Sequence, residues 1–224
     1  MDTAQEWHIS VGGDETVARC EPATAPRRAT FVCAHGAGGH MDDRSMLALA
    51  NELRRRGVDV VRFNFLYRAK GSKAPDRMPL LQDCFKAVIE RTRAELTPNK
   101  LFIGGRSMGG RTASMLAADG YDCDGLLLFA YPLHPAGKPD KLRDEHLPRI
   151  RVPVLCFNGT RDALCTRELM ETTLERLEKY WTMHWLEGAD HSFHVLKSSG
   201  RSDAQVLHEV GETTERWLEN GSSA

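Results

Sequence analysis

A serine in a glycine-flanked pentapeptide is the residue of this chain best suited to nucleophilic chemistry. Residues 105–109 read Gly-Arg-Ser-Met-Gly, directly after an apolar run at 100–104 and before a helix-compatible segment at 110–118. The order of strand, sharp turn and helix exposes the serine hydroxyl at the end of the strand, and glycines let the two elements approach closely. An ordinary helix N-cap is the competing interpretation, and the preceding strand disfavours it. Ser107 is therefore the candidate nucleophile.

An acid and a histidine follow Ser107 in the chain. Asp162 closes a turn after the apolar residues 152–157, and His191 closes a turn after residues 181–186. Because loops leaving the carboxyl ends of parallel strands meet at one edge of a sheet, these side chains are expected to lie close together. A serine needs an adjacent base, and the base needs a third group to orient it. The spacing therefore predicts a Ser-His-Asp triad.

Both partners of the serine have rivals nearby in the sequence. The histidine could be His194, and the acid could be Asp190 beside His191, or Asp140 or Asp144 in the segment 131–149. The residues around Asp190 also resemble a metal site, but no cysteine or glutamate ligand set lies near them. We therefore expect no metal.

The loop 35–39, His-Gly-Ala-Gly-Gly, follows an apolar strand at 30–34. The backbone N–H groups of Ala37 and Met108 are the candidate oxyanion-hole donors, and His35 is expected to be structural. Other side chains could line the mouth of the site, where cations would favour a substrate carrying a carboxylate or phosphate; solvated loop charges are an equally good interpretation. These candidates are Arg68, Lys70, Arg106 and His134.

On these features the chain resembles the α/β-hydrolase superfamily over nearly its whole length. Within it, the chain is similar to small hydrolases related to dienelactone hydrolase, particularly the Tex30/KANL3-like group. The resemblance implies an α/β-hydrolase fold: a mostly parallel central sheet with helices on both faces and a minimal lid or none. It also favours Asp162 and His191 over their rivals, since Gly-Thr-Arg-Asp and Gly-Ala-Asp-His-Ser-Phe match the superfamily's acid and histidine turns. The segments that carry the resemblance are residues 35–39, 67–71, 74–77, 104–111 and 131–139.

One departure from the dienelactone hydrolases concerns the nucleophile. Those enzymes use a cysteine, whereas this chain has Ser107 at the corresponding position. Dienelactones are therefore poor substrate candidates, and a carboxylic ester or thioester is expected instead.

Composition narrows the remaining possibilities. The 224 residues, 41% hydrophobic and 27% charged, fit a single domain over residues 1–224. The net charge of −1 gives no electrostatic case for nucleic acid or an anionic membrane. No glycine-rich nucleotide motif is present, so no cofactor is expected. No pattern indicates an oligomeric state.

Cysteine usage and the polar N-terminus indicate a reducing cytoplasm. The six cysteines are scattered without a C-x-x-C pair, and no apolar stretch approaches the roughly 20 residues that span a bilayer. Residues 1–6 lack the charged-then-apolar pattern of a signal peptide.

Alternating strand and helix patterns predict right-handed crossovers in a mostly parallel sheet. Residues 67–79 are expected to form a loop, 131–149 the only lid segment, and 220–224 a fraying tail. The predicted strands are residues 7–11, 16–20, 30–34, 58–65, 100–104, 125–130, 152–157 and 181–186, and the predicted helices about 45–56, 80–96, 110–118, 166–179 and 203–220.

The leading functional hypothesis is a serine hydrolase that cleaves a small carboxylic ester or thioester through an acyl-enzyme on Ser107. Short acyl groups are favoured because the chain leaves little room for a lid. A peptidase or acyltransferase could use the same triad, but nothing in the sequence favours either. A non-catalytic scaffold is the alternative from another class, because a fold does not determine a function.

Overall fold

A computed structural model describes residues 4–177 and 180–220. Within them, eight strands form one sheet in the order β1-β2-β4-β3-β5-β6-β7-β8. The pairs from β4 through β8 are parallel, and β1 and β2 form the predicted antiparallel hairpin at one edge. The strands are β1 Gln5–Val11, β2 Asp14–Glu21, β3 Ala29–Ala34, β4 Val58–Phe63, β5 Leu101–Arg106, β6 Gly125–Phe129, β7 Val154–Gly159 and β8 Trp181–Leu186.

Helices cover both faces of the sheet. The apolar cluster on one face includes Met46 and Val210, and the cluster on the other includes Phe85 and Leu116. The described helices are α1 Arg44–Arg55, α2 Leu66–Ala69, α3 Met78–Leu96, α4 Met108–Ala118, α5 Arg167–Leu174 and α6 Asp203–Glu219, with short 3-10 helices at Leu147–Arg149 and Lys197–Ser199. This is the α/β-hydrolase architecture that the resemblance implied.

The central strands are buried and mostly apolar because both faces of the sheet are covered. Every residue of β3, β4, β6 and β7 is buried. Successive side chains point to opposite faces, so Phe31 joins the cluster with α1 and α6 while Val32 joins the cluster with α3 and α4. This pattern is typical of a parallel sheet between two helix layers.

The registers of the central strands bring their carboxyl ends to one edge. Ala34 pairs with Gly105, Arg106 with Phe129, and Gly159 with Leu186. The loops that follow β3, β5, β7 and β8 therefore emerge side by side, and they carry all the candidate site residues of the triad and the oxyanion loop.

The segment 131–149 packs against the body of the protein, as a lidless fold requires. Tyr131, Leu133, His146 and Leu147 are buried, and the Tyr131 hydroxyl donates to the carbonyl of Arg143 at 2.8 Å. Its 3-10 helix contacts α4. The expected minimal lid is thus this short segment, held down by its own buried side chains.

Three boundary predictions differ from the structure. The predicted loop 67–79 contains α2, whose Leu66 and Tyr67 are buried, and α3 begins at Met78 with Pro79 in its first turn. Proline, which lacks a backbone N–H, is tolerated there because N–H groups in the first turn have no helical acceptor. The helix predicted to reach residue 179 ends at Leu174, and residues 178–179 and 221–224 lie outside the described residues.

Two further features bear on the expected location of the protein. No helix in the described ranges is long and apolar enough to cross a membrane. All six cysteines are buried with free thiols.

Candidate active site

Ser107 occupies a sharp turn between β5 and α4. Its backbone has φ 48° and ψ −114°, a conformation that residues with a Cβ rarely adopt. Glycines make the turn possible: a Cβ on Gly105 would lie 2.1 Å from the Ala34 carbonyl oxygen, and one on Gly109 would lie 2.6 Å from it. The serine N–H donates to the Phe129 carbonyl at 2.9 Å. The backbone strain therefore serves to hold the hydroxyl at the edge of the sheet.

The serine hydroxyl, a histidine and an aspartate lie in one hydrogen-bonded row. The Nε2 atom of His191 is 3.0 Å from Ser107 Oγ. Its Nδ1 atom is 2.9 and 2.8 Å from the two carboxylate oxygens of Asp162. If Nδ1 carries the proton toward the carboxylate, Nε2 is free to accept the serine proton. The structure thus brings together the three residues that the sequence favoured.

Asp162 is oriented by neighbours from its own strand and turn. Its side chain is fully buried, whereas that of His191 is 29% exposed. Asn158 Nδ2 donates to Asp162 Oδ2 at 3.1 Å, and the Leu164 N–H donates to Oδ1 at 2.8 Å. A buried carboxylate with this many donors is held in one position facing the imidazole.

Asn158 was missed by the sequence analysis. Its side chain also accepts from the Tyr131 N–H and donates to the Tyr131 carbonyl. The sequence could have indicated it, because Asn158 is a polar residue at the end of an otherwise apolar strand, four positions before the acid.

The rival residues are engaged elsewhere. Asp190 Oδ1 accepts from the N–H groups of Ser192 and His194 and so shapes the histidine loop. The imidazole of His194 pairs with Asp203 at 2.9 Å. Asp144 pairs with Arg176 across the surface, and the fourth rival, Asp140, is exposed.

Two backbone N–H groups near the serine have no acceptor among the described residues: those of Ala37 and Met108. Met108 is the first residue of α4, where the helix supplies no partner. The loop carrying Ala37 lies beside the nucleophile, since a Cβ on Gly36 would be 3.5 Å from Ser107 Cβ. Both predicted donors therefore flank the serine turn.

His35 holds the loop that carries Ala37. Its Nδ1 donates to the Gly36 carbonyl, 2.8 Å away, while Nε2 accepts from the Phe65 N–H at 3.2 Å. Burial lowers the pKa of His35 to about 4, so the imidazole is neutral at physiological pH. The Tyr67 hydroxyl accepts from the Gly38 N–H at 3.1 Å and anchors the far side of the loop. This geometry agrees with the expectation that His35 is structural.

An open cavity of about 430 Å³ surrounds the serine. His191, Leu164 and the glycine-rich loop line it, and Asp43 and Ser45 enter from the start of α1. A wider groove of about 650 Å³ adjoins it between α1 and α6. The site is therefore accessible from solvent.

The four candidate substrate contacts separate into one that borders the site and three that lie elsewhere. Arg106 lines both cavities. Lys70 pairs with Asp14 at 2.6 Å on the surface, and Arg68 donates to the Ser72 carbonyl at 2.9 Å. His134 is 2% exposed, with Nδ1 3.0 Å from the Pro135 carbonyl oxygen. Arg68, Lys70 and His134 line neither of these two cavities, and loop position alone does not show where such side chains point.

Within residues 4–177 and 180–220, no group of three or more histidine, cysteine, aspartate or glutamate side chains is arranged to hold a metal ion. The hydrogen-bonded row at the site consists of Ser107, His191 and Asp162.

Comparison with known proteins agrees with this fold. Residues 27–219 match the family described as alpha/beta hydrolase domain. A lidless α/β serine hydrolase from Xanthomonas campestris superposes with a TM-score of 0.76 at 22% identity, over 97% of this chain and 96% of that one. An α/β serine hydrolase homologue from Coxiella burnetii superposes with a TM-score of 0.77 at 20% identity, over 96% of this chain and 98% of that one. A dienelactone hydrolase from Anabaena variabilis superposes with a TM-score of 0.73 at 19% identity, over 98% of this chain and 99% of that one.

Proposed function

The chain belongs to the alpha/beta hydrolase domain family, and from that premise we propose that it is a serine hydrolase acting on a small carboxylic ester or thioester. The observation that supports this most directly is the row from Ser107 Oγ through His191 to Asp162, with contacts of 3.0 and 2.8 Å. These distances are within hydrogen-bond reach for nucleophile, base and orienting acid.

In the acylation step, Ser107 Oγ attacks the carbonyl carbon and its proton passes to His191 Nε2. The buried carboxylate of Asp162 keeps the imidazole in the required tautomer and stabilises the imidazolium that forms. Because Asp162 is fully buried and its oxygens accept from Asn158 and Leu164, it provides this negative charge at a fixed position.

The N–H groups of Met108 and Ala37 are proposed to bind the oxyanion that develops on the carbonyl oxygen. One such donor is worth about 3–4 kcal/mol in the transition state. Neither N–H group has an acceptor in the described part of the chain, which supports this role because each has a hydrogen bond to give.

Collapse of the tetrahedral intermediate breaks the bond to the alcohol or thiol, which takes the proton from His191. A water molecule then enters, gives a proton to His191 Nε2 and attacks the acyl carbon. The proton returns to Ser107 Oγ as the carboxylic acid leaves, so the enzyme is regenerated without a cofactor.

The size of the serine cavity favours a short acyl group. About 430 Å³ of open space adjoins Ser107, and the segment 131–149 is packed on α4 rather than over the site. An enclosed tunnel for a long chain is therefore not what surrounds the nucleophile. We also propose a cytoplasmic location, because six buried free thiols suit a reducing compartment.

The decisive experiment is intact mass spectrometry after incubation with a fluorophosphonate probe. We expect one adduct on the wild-type protein and none on Ser107→Ala. Ser114→Ala is a matched control, because Ser114 Oγ lies 2.8 Å from a different imidazole, that of His146, but is buried in α4. It should label like wild type.

The absence of an adduct on folded wild-type protein would contradict the proposal and favour the scaffold alternative. Labelling should be followed by turnover of simple acetate esters and thioesters, which distinguishes esterase from thioesterase activity.

A further inference from the structure

The groove beside the serine cavity takes no part in the proposed acylation and hydrolysis steps. It has a volume of about 650 Å³ and lies between the N-terminal turns of α1 and α6, and the largely buried Phe193 lines one side. It is continuous with the serine cavity, because the two share the lining residues Asp43, Ser45, Arg106 and Ser192. A ligand bound at Ser107 thus has an open path into this groove.

The groove lies where α1 and α6 diverge. The two helices are in contact in their middle turns and separate toward their N-termini. A Cβ on Gly211 of α6 would lie 2.5 Å from Glu52 Oε1 of α1, so the helices are in close contact there. Ala48 and Leu207 each lie one turn closer to the N-terminus on the same helix faces, and both line the groove. The helices therefore diverge toward the edge of the sheet that carries Ser107.

The groove combines apolar side chains with charged residues that have their own places. Ala48, Phe193, Ala204 and Leu207 contribute side chains without hydrogen-bonding groups. The charged lining residues Asp43, Arg44 and Asp203 stand at the exposed starts of the two helices. The fourth charged lining residue, Arg106, donates to the His191 carbonyl and lies over the Phe193 ring. The apolar part of this surface suits an aliphatic or aromatic group.

The position of the catalytic histidine indicates which end of an ester enters the groove. Ser192 and Phe193, which line the groove, directly follow His191 in the chain. In the proposed cycle, His191 Nε2 gives its proton to the leaving oxygen, so that oxygen must face the histidine. The group attached to it then extends along the histidine loop.

We propose that this groove binds the apolar alcohol or thiol arm of the substrate, while the serine cavity holds a short acyl group. The substrate class is thus a short-acyl ester or thioester of an extended aliphatic or aromatic alcohol or thiol. The inference rests on the proposed hydrolase function.

The wild-type protein provides the first test. Acetate esters of ethanol, butanol, hexanol and 2-phenylethanol keep the acyl group constant while the alcohol arm grows. We expect kcat/KM to rise at least about tenfold from ethyl to hexyl acetate, because each buried methylene adds binding. A flat or falling series with measurable ethyl acetate turnover overturns the inference alone. No turnover of any ester, with no fluorophosphonate adduct, overturns the proposed function and the inference with it.

Filling the groove provides the second test. Ala48→Phe and Leu207→Phe, made separately, should each lower the hexyl-to-ethyl ratio of kcat/KM about tenfold. Asn51→Phe is the matched control, since Asn51 is exposed on α1 and lies outside the groove lining; its ratio should equal that of wild type. If the two variants instead change the preference along ethyl acetate, butanoate and hexanoate, the groove binds the acyl arm and the assignment is wrong.

Discussion

The guanidinium of Arg106 is hydrogen-bonded to the backbone of His191: Nη2 donates to the carbonyl oxygen at 2.9 Å. Arg106 directly precedes Ser107 in the chain, so one side chain links the nucleophile turn to the histidine loop. The same guanidinium lies over the Phe193 ring, 4.9 Å from its centroid. Burial lowers the pKa of Arg106 from its usual value, yet arginine stays charged in proteins. This contact links the turn that carries Ser107 to the loop that carries His191, and so helps to set the distance between the two residues.

Arg106→Ala should therefore reduce catalysis by displacing His191. We expect kcat to fall about 100-fold with little change in KM, because a shift of about 1 Å in a catalytic group has an effect of this size. Steady-state kinetics on ethyl acetate, together with the fluorophosphonate labelling rate, measure the effect. Arg167→Ala is the control, since Arg167 lies over Trp185, 5.4 Å from its ring centroid, without contacting the site. A rise in KM with unchanged kcat would instead indicate substrate binding by Arg106.

Asp162→Asn tests the identity of the acid. The amide cannot stabilise the imidazolium and favours the wrong tautomer, so kcat should fall about 10⁴-fold. Asp190→Asn keeps the oxygen that accepts from Ser192 and His194, and its kcat should stay within about twofold of wild type. The reverse result would make Asp190 the orienting acid.

The sheet and the proximity of Ser107, His191 and Asp162 could be predicted from sequence because both depend on local order along the chain. Apolar strands such as 125–130 and the turns that follow them specify the elements, and parallel registers bring their ends together. The positions of long polar side chains depend on tertiary packing instead. Lys70 follows α2 and pairs with Asp14 at the start of β2, a contact between residues far apart in the chain. Nothing in the local pattern shows that contact, nor the link from Arg106 to His191.

The strained backbone at Ser107 should lower the stability of the folded protein, although the turn is needed to expose the serine hydroxyl. A φ of 48° is costly for a residue with a Cβ, by about 1–3 kcal/mol, whereas glycine adopts it readily. Both Ser107→Gly and Ser107→Ala should be inactive, and the glycine variant should be the more stable by about 1 kcal/mol in urea unfolding. At Ser114, inside α4, the order should reverse, because glycine is less favourable than alanine in a helix. Equal stability of the two Ser107 variants would show that the turn is not strained.

The carboxylate of Asp43 should disfavour anionic substrates at the mouth of the site. Asp43 lines both cavities, and its Oδ2 accepts from the His40 N–H at 2.8 Å. Asp43→Asn removes the negative charge and keeps that acceptor, so kcat/KM for an ester carrying a carboxylate should rise a few-fold relative to a neutral ester, and less so at high salt. Lys70→Ala should change neither value, because Lys70 pairs with Asp14 on the surface. A selective loss with anionic esters in Lys70→Ala would restore the original expectation for this lysine.

Burial of His35 should make the fold sensitive to mild acid. Its pKa is lowered to about 4 in the folded protein, whereas it is about 6.5 in the unfolded chain. Between these values the unfolded state binds the extra proton, so this histidine leaves stability unchanged above pH 6.5 and lowers it progressively as the pH falls toward 4. The protonation of this residue should therefore lower the free energy of unfolding by up to about 1.4 kcal/mol for each unit by which the pH falls below 6.5. Urea unfolding between pH 4.5 and 6.5 measures the slope.

His35→Gln is the variant that isolates this contribution. A glutamine oxygen can replace Nε2 as acceptor for the Phe65 N–H but does not titrate, so the slope should become shallower. His146 supplies a second contribution of the same sign, because burial lowers its pKa to about 4 as well. Some acid sensitivity should therefore remain in His35→Gln and diminish further in a double variant with His146→Gln. If the slope of His35→Gln equals that of wild type, His35 is not the buried neutral anchor of the oxyanion loop.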